Sequence, residues 1–365
     1  MLLHVFHFAT GLVYTLLAFS SLYILIFSLL AHFYLDSSPG NTGNKKMAVI
    51  LSGNNENNLL DAVASLLNQS YPCEFFDIAV VTGSLKPQTI TELEKRKVEI
   101  ITSGSAKPAE NISKALEALP SQYDLAVILD ENSSPEPDFL SKIDKCFHPQ
   151  MKALQCHRTS KVVSSAIQDT ICEEVNNSIF RKGQRASGFS ASLSGSGKVF
   201  DYNYLKNVTN RGNFEEELDL RLIADKNIIF YSDEVVIYDD HLQNKDSYKQ
   251  WFAVRFLYFR TNFIKDIVSA FKSGNTDLVN KSLQMAVMPV SMLLFTLLAI
   301  DILLIISGVI TSFSAVSKVI SPGLNAWLLL LVITGFSIVI SIPRKFYSFR
   351  CLKALVMNFK LRKIY

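Results

Sequence analysis

The sequence predicts an α/β domain with a mostly parallel sheet, tied to a membrane by one N-terminal and two C-terminal helices. Hydrophobic residues make up 49% of the 365 residues and charged residues 19%, which is apolar for a soluble chain. The excess sits in one N-terminal and two C-terminal blocks. Between them, short apolar runs alternate with segments of helical spacing, the pattern of strands covered by helices. The basic residues flank the blocks unevenly, which predicts an orientation.

From Phe8 to Tyr34 no side chain carries charge apart from a protonated His32. About 20 helical residues cross a bilayer core, so residues 1–36 read as an anchor. A cleaved signal peptide needs a basic leader and a shorter apolar run, and no Lys or Arg precedes Thr10. The second block runs from about Leu283 to Ile310 and the third from about Leu324 to Ile342, giving two spans over 283–342. The short loop between them carries Lys318 as its one charge. Asp301 lies deep in the second block. An intramembrane carboxylate points to a functional role, or to an interfacial position if the block is tilted or kinked at Pro289.

Lys45 and Lys46 follow the first block, and the tail 343–365 follows the third. From Arg344 to Tyr365 there are seven Lys or Arg and no acid. The positive-inside rule then puts the N-terminus outside, and the middle domain and tail on the cytoplasmic face of the inner membrane. The tail suits an anionic leaflet or serves only as a topology signal. A net charge of +3 is too small to imply nucleic acid. The cysteines, Cys73, Cys146, Cys156, Cys172 and Cys351, form no CxxC pair and no metal-ligand spacing, which suggests reduced thiols.

Residues 45–248 form the expected central domain. Lys46–Ser52 is a short apolar run ending at Gly53, consistent with a buried strand. Leu59, Leu60, Val63, Leu66 and Leu67 repeat at helical spacing until Gln69–Pro72 stops them. Phe76–Val81 is the next strand, Pro87–Lys95 a helix, Val98–Thr102 a strand, Ala109–Leu119 a helix and Leu125–Leu129 a strand. Ligands of parallel sheets bind beyond the carboxyl ends of the strands. That rule singles out Asn55 and Glu56, Thr82 to Ser84, and Asp130 to Asn132. Over 249–275, aromatic residues mix with Arg255, Arg260 and Lys265, which suits an amphipathic helix lying in the membrane interface.

Four segments then occur in a telling order: LSGNNENNLLDAVASLLNQSYP (Leu51–Pro72), AVILDENSSPEPDFL (Ala126–Leu140), the stretch from Ala153 to Phe200 that closes with GSGKVF, and NFEEELDLRLIADKNIIFYSDEVVIYDD from Asn213. Together, over roughly Met47 to Arg260, they resemble the family 2 glycosyltransferases, particularly the membrane-bound group that includes ceramide glucosyltransferases and polysaccharide synthases. The resemblance implies a GT-A-like nucleotide-sugar-binding domain. It further implies an inverting transfer from a nucleotide-sugar donor, UDP-linked by preference, to a lipid or glycan acceptor.

The resemblance also implies roles. Asn55, Glu56 and Thr82 would surround the nucleoside, and Arg255 would clamp the diphosphate. Gly195, Ser196 and Gly197 would border the acceptor. Glu217, with Glu216 before it, would take the proton of the attacking hydroxyl. Asp130 and Asn132 would hold Mg2+ or Mn2+, hard cations that want oxygen ligands and offset the leaving diphosphate.

The sequence departs from the family pattern at several points. Asn132 stands where a second aspartate is usual, and Thr82 where an acid would contact uracil. The Gln-x-x-Arg-Trp signature falls on Phe252–Phe256 and keeps only Arg255. A second class of function is therefore open: a non-catalytic subunit that binds a partner glycosyltransferase.

Overall fold

The computed structural model describes residues 2–36, 43–103, 108–160, 167–209, 218–239, 248–309 and 320–348. The chain enters through helix α1 (Leu2–Leu30) and reaches strand β1 (Met47–Ser52). It then alternates through α2 (Glu56–Leu67), β2 (Phe76–Thr82), α3 (Pro87–Lys95), β3 (Glu99–Thr102), α4 (Pro108–Ala118) and β4 (Leu125–Asp130). β1 to β4 are mutually parallel where they pair, in the order β3-β2-β1-β4. The register sets Ser52 beside Val81 and Asp130, so the carboxyl ends of the three inner strands are level.

This half follows directly from the apolar pattern. Alternate residues of β1 enter two layers: Val49 and Leu51 pack with Leu59, Val63 and Leu66 of α2. Ala48 and Ile50 pack with Ile112, Ala115 and Leu116 of α4. Each fully buried side chain of this size contributes about 1.5–3 kcal/mol. A strand buried on both faces reads as a continuous apolar run, as MAVIL does.

Beyond β4 come β5 (Ser133–Pro135), α5 (Phe139–Cys146), β6 (Ala153–Thr159) and α6 (Ile167–Asn176). α6 continues as a π-helical stretch, Asn177–Gly183, into the short α7 (Gln184–Ala186). There follow β7 (Lys198–Asp201), α8 (Tyr202–Thr209), α9 (Leu218–Ala224) and β8 (Ile229–Asp239). Among the described residues the sheet has eight strands in the order β3-β2-β1-β4-β7-β6-β8-β5. β7 runs antiparallel to β4 and β6, and β5 antiparallel to β8. Only two residues lie between the end of β4 and the start of β5, yet three strands separate them in the sheet order. The second half must therefore curl back over the carboxyl end of β4.

After β8 come α10 (Tyr248–Thr261), α11 (Phe263–Ser273) and α12 (Thr276–Ala286), then α13 (Val290–Val309) and α14 (Leu324–Ser341). The expected interfacial segment is two helices rather than one, broken at Asn262. Ile264, Val268 and Phe271 of α11 are exposed on one apolar stripe beside Lys265 and Lys272. Among the described residues, three helices are long and apolar enough to cross a membrane: His4–Phe33, Val290–Val309 and Leu324–Ser341. The second starts later than the hydrophobic block, because Pro289 lacks the N–H to continue α12 and opens a new helix instead. Leu283 to Ala286 belong to α12.

α1 and α14 run parallel. Ser21 Oγ lies 3.0 Å from Thr334 Oγ1, Ser341 donates to Ser28 at 2.9 Å, and Tyr14 and Trp327 stack edge-on at 5.1 Å. At 29 residues, α1 is about 43 Å long, more than the ~30 Å of a hydrocarbon core. Its last turns dock on protein: Phe27 presses its carbonyl against Gly183, where a Cβ would not fit. All three spans meet the α/β domain from one side. Asp36, past the end of α1, accepts from Ser232 Oγ and from the N–H groups of Asp233 and Glu234, and Lys345, past the end of α14, pairs with Glu174 at 3.1 Å. Asp301 lies on the stripe of α13 that packs inward, 2% exposed, and neither carboxylate oxygen has a hydrogen-bond partner among the described residues.

Candidate functional site

The level ends of β1, β2 and β4 carry a polar rim. Asn55 caps α2, its Oδ1 accepting from Asn58 N–H at 3.3 Å. Glu56, the first helical residue, reaches across to the start of α3. It accepts from Lys86 N–H at 2.7 Å and Thr89 Oγ1 at 3.2 Å, with Lys86 Nζ at 3.3 Å. The backbone hydrogen bond from Lys86 leads the interactions that hold its carboxyl below the usual range. Asn54 ties β1 to β2, accepting from Gly83 N–H at 2.9 Å and Thr82 Oγ1 at 3.4 Å. Thr82 is buried there.

Glu131, between Asp130 and Asn132, was singled out by sequence only as part of that strand-end run, with no role assigned, yet it organises this rim. Its Oε2 accepts the N–H groups of Asn54 and Asn55, the latter at 2.7 Å. A Cβ on Gly53 would overlap that carboxylate, which explains the glycine at the strand end. Asn132 Oδ1 accepts from Asn58 Nδ2 at 2.7 Å.

The segment Gly195–Gly197 closes on the same strand end. Asp130 N–H donates to Ser196 Oγ at 3.1 Å, Ser133 Oγ donates to it at 2.5 Å, and Gly197 N–H donates to Ile128 O at 3.0 Å. Both glycines have left-handed backbones, φ +57° and +79°, a region that disfavours residues with a Cβ. There is also no room. A Cβ on Gly195 would collide with Arg158 Nη1, and one on Gly197 would lie 2.9 Å from Ile237 Cγ2. The two glycines are thus required by packing against Arg158 and Ile237.

Behind it lies a buried ionic network that sequence reasoning missed. Arg158 Nε stands 3.7 Å from Glu173 Oε1 and 3.7 Å from Asp239 Oδ2. Arg181 Nη1 donates to Glu173 at 2.8 Å and also to Asn177 Oδ1, and its Nη2 donates to Ser194 Oγ at 2.7 Å. Glu173, Asn177 and Arg181 stay on one face because the wider π turn undoes the drift of i+4 steps along an α-helix. Burial opposes the charge on Arg158, but Glu173, Asp239 and Asp130 outweigh it and push its pKa up. Glu173 is likewise held below the usual carboxylate range, against its burial, by Arg158 and Arg181.

Next to this network, His157 lies between Glu174 (3.5 Å) and Asp233 (3.1 Å) and contacts Tyr231 Oη at 2.6 Å. Burial lowers its pKa, but hydrogen bonds to the two carboxylates prevail and raise it. Glu174, raised by burial, is brought down to about 2 by His157 and Lys345.

Structure and sequence can be matched residue by residue. Asn55, Glu56, Thr82, Asp130 and Asn132 do share one rim, and Gly195, Ser196 and Gly197 join it at Asp130. Glu216 and Glu217 lie outside the described residues. Asp219, two residues further on, accepts from Leu193 N–H at 3.2 Å and pairs with Lys281 of α12 at 2.7 Å. Arg255 is engaged at the end of α12, where its Nη1 donates to the carbonyls of Gln284, Met285 and Val287.

This geometry has a counterpart among solved structures. The chain is similar to the mannosyltransferase PcManGT from Pyrobaculum calidifontis, solved in complex with GDP-Man and Mn2+. The match has a TM-score of 0.54 and 13% identity over 93% of this chain and 97% of that one. The fold is GT-A-like. A weaker similarity, TM-score 0.39 and 18% identity, links it to S. aureus TarS 1–349 in complex with UDP-GlcNAc, over 58% of this chain and 65% of that one. No family model matches the chain, and no curated protein sequence matches it.

Among the described residues no group of three His, Cys, Asp or Glu side chains converges at the rim. Glu131 is turned to the Asn54–Asn55 turn, and the Asn132 oxygen accepts from Asn58. Asp130 is left as the one carboxylate of the trio not drawn into the turn.

Proposed function

We propose that this chain is a membrane-anchored glycosyltransferase. It would move a sugar, with inversion, from a nucleotide donor to a lipid or glycan acceptor at the cytoplasmic face of the membrane. The observation that carries the reading is the meeting of Asp130, the Asn54–Glu56 turn, Thr82 and the Gly195–Gly197 segment at the level strand ends of a GT-A-like fold. In open parallel sheets that is where nucleotides bind.

In this reading the Asn55–Glu56 turn and Thr82 shape the wall against the nucleoside. Asp130 borders the donor's diphosphate end. The narrow Gly195–Gly197 backbone lets the acceptor approach Asp130 closely. Glu217, with Glu216, accepts the hydroxyl proton as the acceptor oxygen attacks the anomeric carbon; general-base help of this kind is worth about 10²–10⁴-fold. Arg255, at the junction of α12 and the second span, contributes positive charge on the membrane side. The exposed apolar stripe of α11 lies in the interface. Three spans are few for a polymer-conducting pore, which favours a glycolipid product. UDP-linked donors remain the first choice, with GDP-linked donors beside them because PcManGT was solved with GDP-Man.

The purified full chain in detergent should be stabilised against heat by at least one member of a panel of nucleotide sugars. It should hydrolyse that donor slowly, and Glu217→Gln should abolish the hydrolysis without abolishing binding. Binding without hydrolysis in the wild type would favour the non-catalytic subunit, a reading that the amide at Asn132 keeps in play. No stabilisation by any nucleotide would end the transferase reading.

A further inference from the structure

β7 runs antiparallel to β4, so its first residue, Lys198, stands at the carboxyl end of β4, opposite Ile128. Successive side chains of a strand point to opposite faces. Val199 enters the layer that holds α2, and Phe200 enters the layer of Ala126, Ile128 and α4. Lys198 therefore shares the Phe200 face, and Asp130, two residues after Ile128, points to the same side. The two are diagonal neighbours across the β4–β7 pair, about 7–8 Å apart. Leu218, which opens α9, packs in that layer too, and Glu217 precedes it in the chain.

Lys198 is half-buried on an interior strand, yet it makes no hydrogen bond or ion pair among the described residues. Neither neighbour across the sheet offers one. Ile128 is apolar, and Gln155 on β6 is committed to Ser194 N–H at 2.9 Å and Ser196 O at 3.2 Å. Other cations around the site are taken: Lys86 by Glu56, Lys281 by Asp219, Arg158 by Glu173 and Asp239, and Arg255 by three carbonyls. Partly drying an ammonium without a partner costs free energy, so the fold gains nothing from this charge. A phosphate brought to the end of β4 meets Asp130, whose charge repels it, and a cation on the same face offsets that repulsion. Lysine serves phosphates as a point charge on a flexible stem. We propose that Lys198 binds a phosphate group of the substrate, its ammonium donating to a phosphoryl oxygen beside Asp130. That phosphate belongs either to the donor's diphosphate or to a phosphate-bearing lipid acceptor. The assignment rests on the transferase reading and names the residue that meets the substrate's charge.

The test is calorimetric titration of the full chain in detergent, with Mn2+ present. The ligands are UDP and GDP against their nucleosides, and dioctanoyl phosphatidic acid against dioctanoylglycerol. Lys198→Met should weaken one phosphate ligand at least about tenfold, about 1.4 kcal/mol, and leave its phosphate-free counterpart unchanged. A loss confined to a nucleotide assigns the phosphate to the donor, and a loss confined to the phosphatidic acid assigns it to the acceptor. Lys198→Arg keeps the charge and should recover most of the affinity. Equal affinities of wild type and Lys198→Met for every phosphate ligand overturn the proposal and leave the transferase reading intact. Wild type that binds neither UDP nor GDP overturns the transferase reading, and the proposal with it. The denaturation midpoint of Lys198→Met should not fall, because no bond of the fold is lost. If Lys198→Met and Lys198→Gln both fail to fold, the lysine is structural and the proposal is overturned.

Discussion

Along β1 the buried residues are Met47, Ala48, Val49, Ile50 and Leu51; along β6 they include Gln155, Cys156, His157, Arg158 and Thr159. Both strands are interior, but one packs against hydrocarbon and the other against paired charges. The β1–β4 half is an apolar sandwich whose polar groups stand only at its rim. The β6–β8 half, with α6 and its π turn, buries carboxylates and guanidiniums at the base of that rim. Desolvating such groups is costly unless each finds partners. The network is therefore best understood through what it positions: Arg181 holds Ser194, and Arg158 fills the space beneath Gly195. One half supplies a platform, and the other fixes the loop that closes on it.

The largest effect should come from breaking the network. Glu173→Leu would leave Arg158 and Arg181 without the carboxylate they share, at a cost of about 3–5 kcal/mol, read as a fall in the denaturation midpoint. Glu173→Gln conserves volume yet removes the charge, so it should recover little of the loss. In the apolar half the logic reverses. Leu59→Ala should cost about 2–5 kcal/mol, whereas Leu59→Met, which conserves volume, should cost less than about 1.5 kcal/mol. If Glu173→Gln proved as mild as Leu59→Met, the contrast between the halves would be one of composition only.

The same contrast decides what sequence could show. In the apolar half, residue type tracks burial, so periodicity located β1, α2, β2, α3, β3, α4 and β4 to within a few residues, and with them the rim. The resemblance in the second half identified the strand at Ala153, the long helix and the Gly-Ser-Gly segment. Neither signal revealed the network, because Glu173, Arg158 and Arg181 look like surface residues in a linear string. Their burial depends on partners far away in the chain, such as Ser194, Gly195 and Asp239, which leave no local trace. Glu131 was given no role for a different reason: the resemblance assigned roles to Asp130 and Asn132 on either side of it, and its work is done through backbone N–H groups that no motif displays. The role that the resemblance implied for Asn55, a nucleoside contact, did not disclose the helix cap that the structure shows.

Titration should sharpen the comparison at intermediate cost. His157 has a raised pKa in the folded chain. Its contribution is therefore complete below the unfolded value of about 6.5 and fades as pH rises through the folded value. Glu174 runs the other way: held at about 2 when folded, it stabilises above the ordinary carboxylate range and loses its contribution as pH falls toward about 2. Stability should be flat between these limbs. His157→Gln should remove the alkaline limb, whose slope cannot exceed about 1.4 kcal/mol per pH unit for one proton. An unchanged slope above pH 6.5 in that variant would assign the limb to other groups.

The smallest expected effect separates cap from ligand at the rim itself. Asn55→Ala removes the acceptor of the Asn58 N–H and should cost about 1 kcal/mol of stability. Serine caps nearly as well as asparagine, so Asn55→Ser should restore stability. If the side chain only caps, donor affinity should follow stability and return in the serine variant. If it also touches the nucleoside, affinity should stay low while stability recovers, because a hydroxyl satisfies the helix end but does not reproduce the amide's donor and acceptor pair. Unequal recovery of the two measurements would thus place Asn55 in the donor site by a criterion that fold stability cannot mimic.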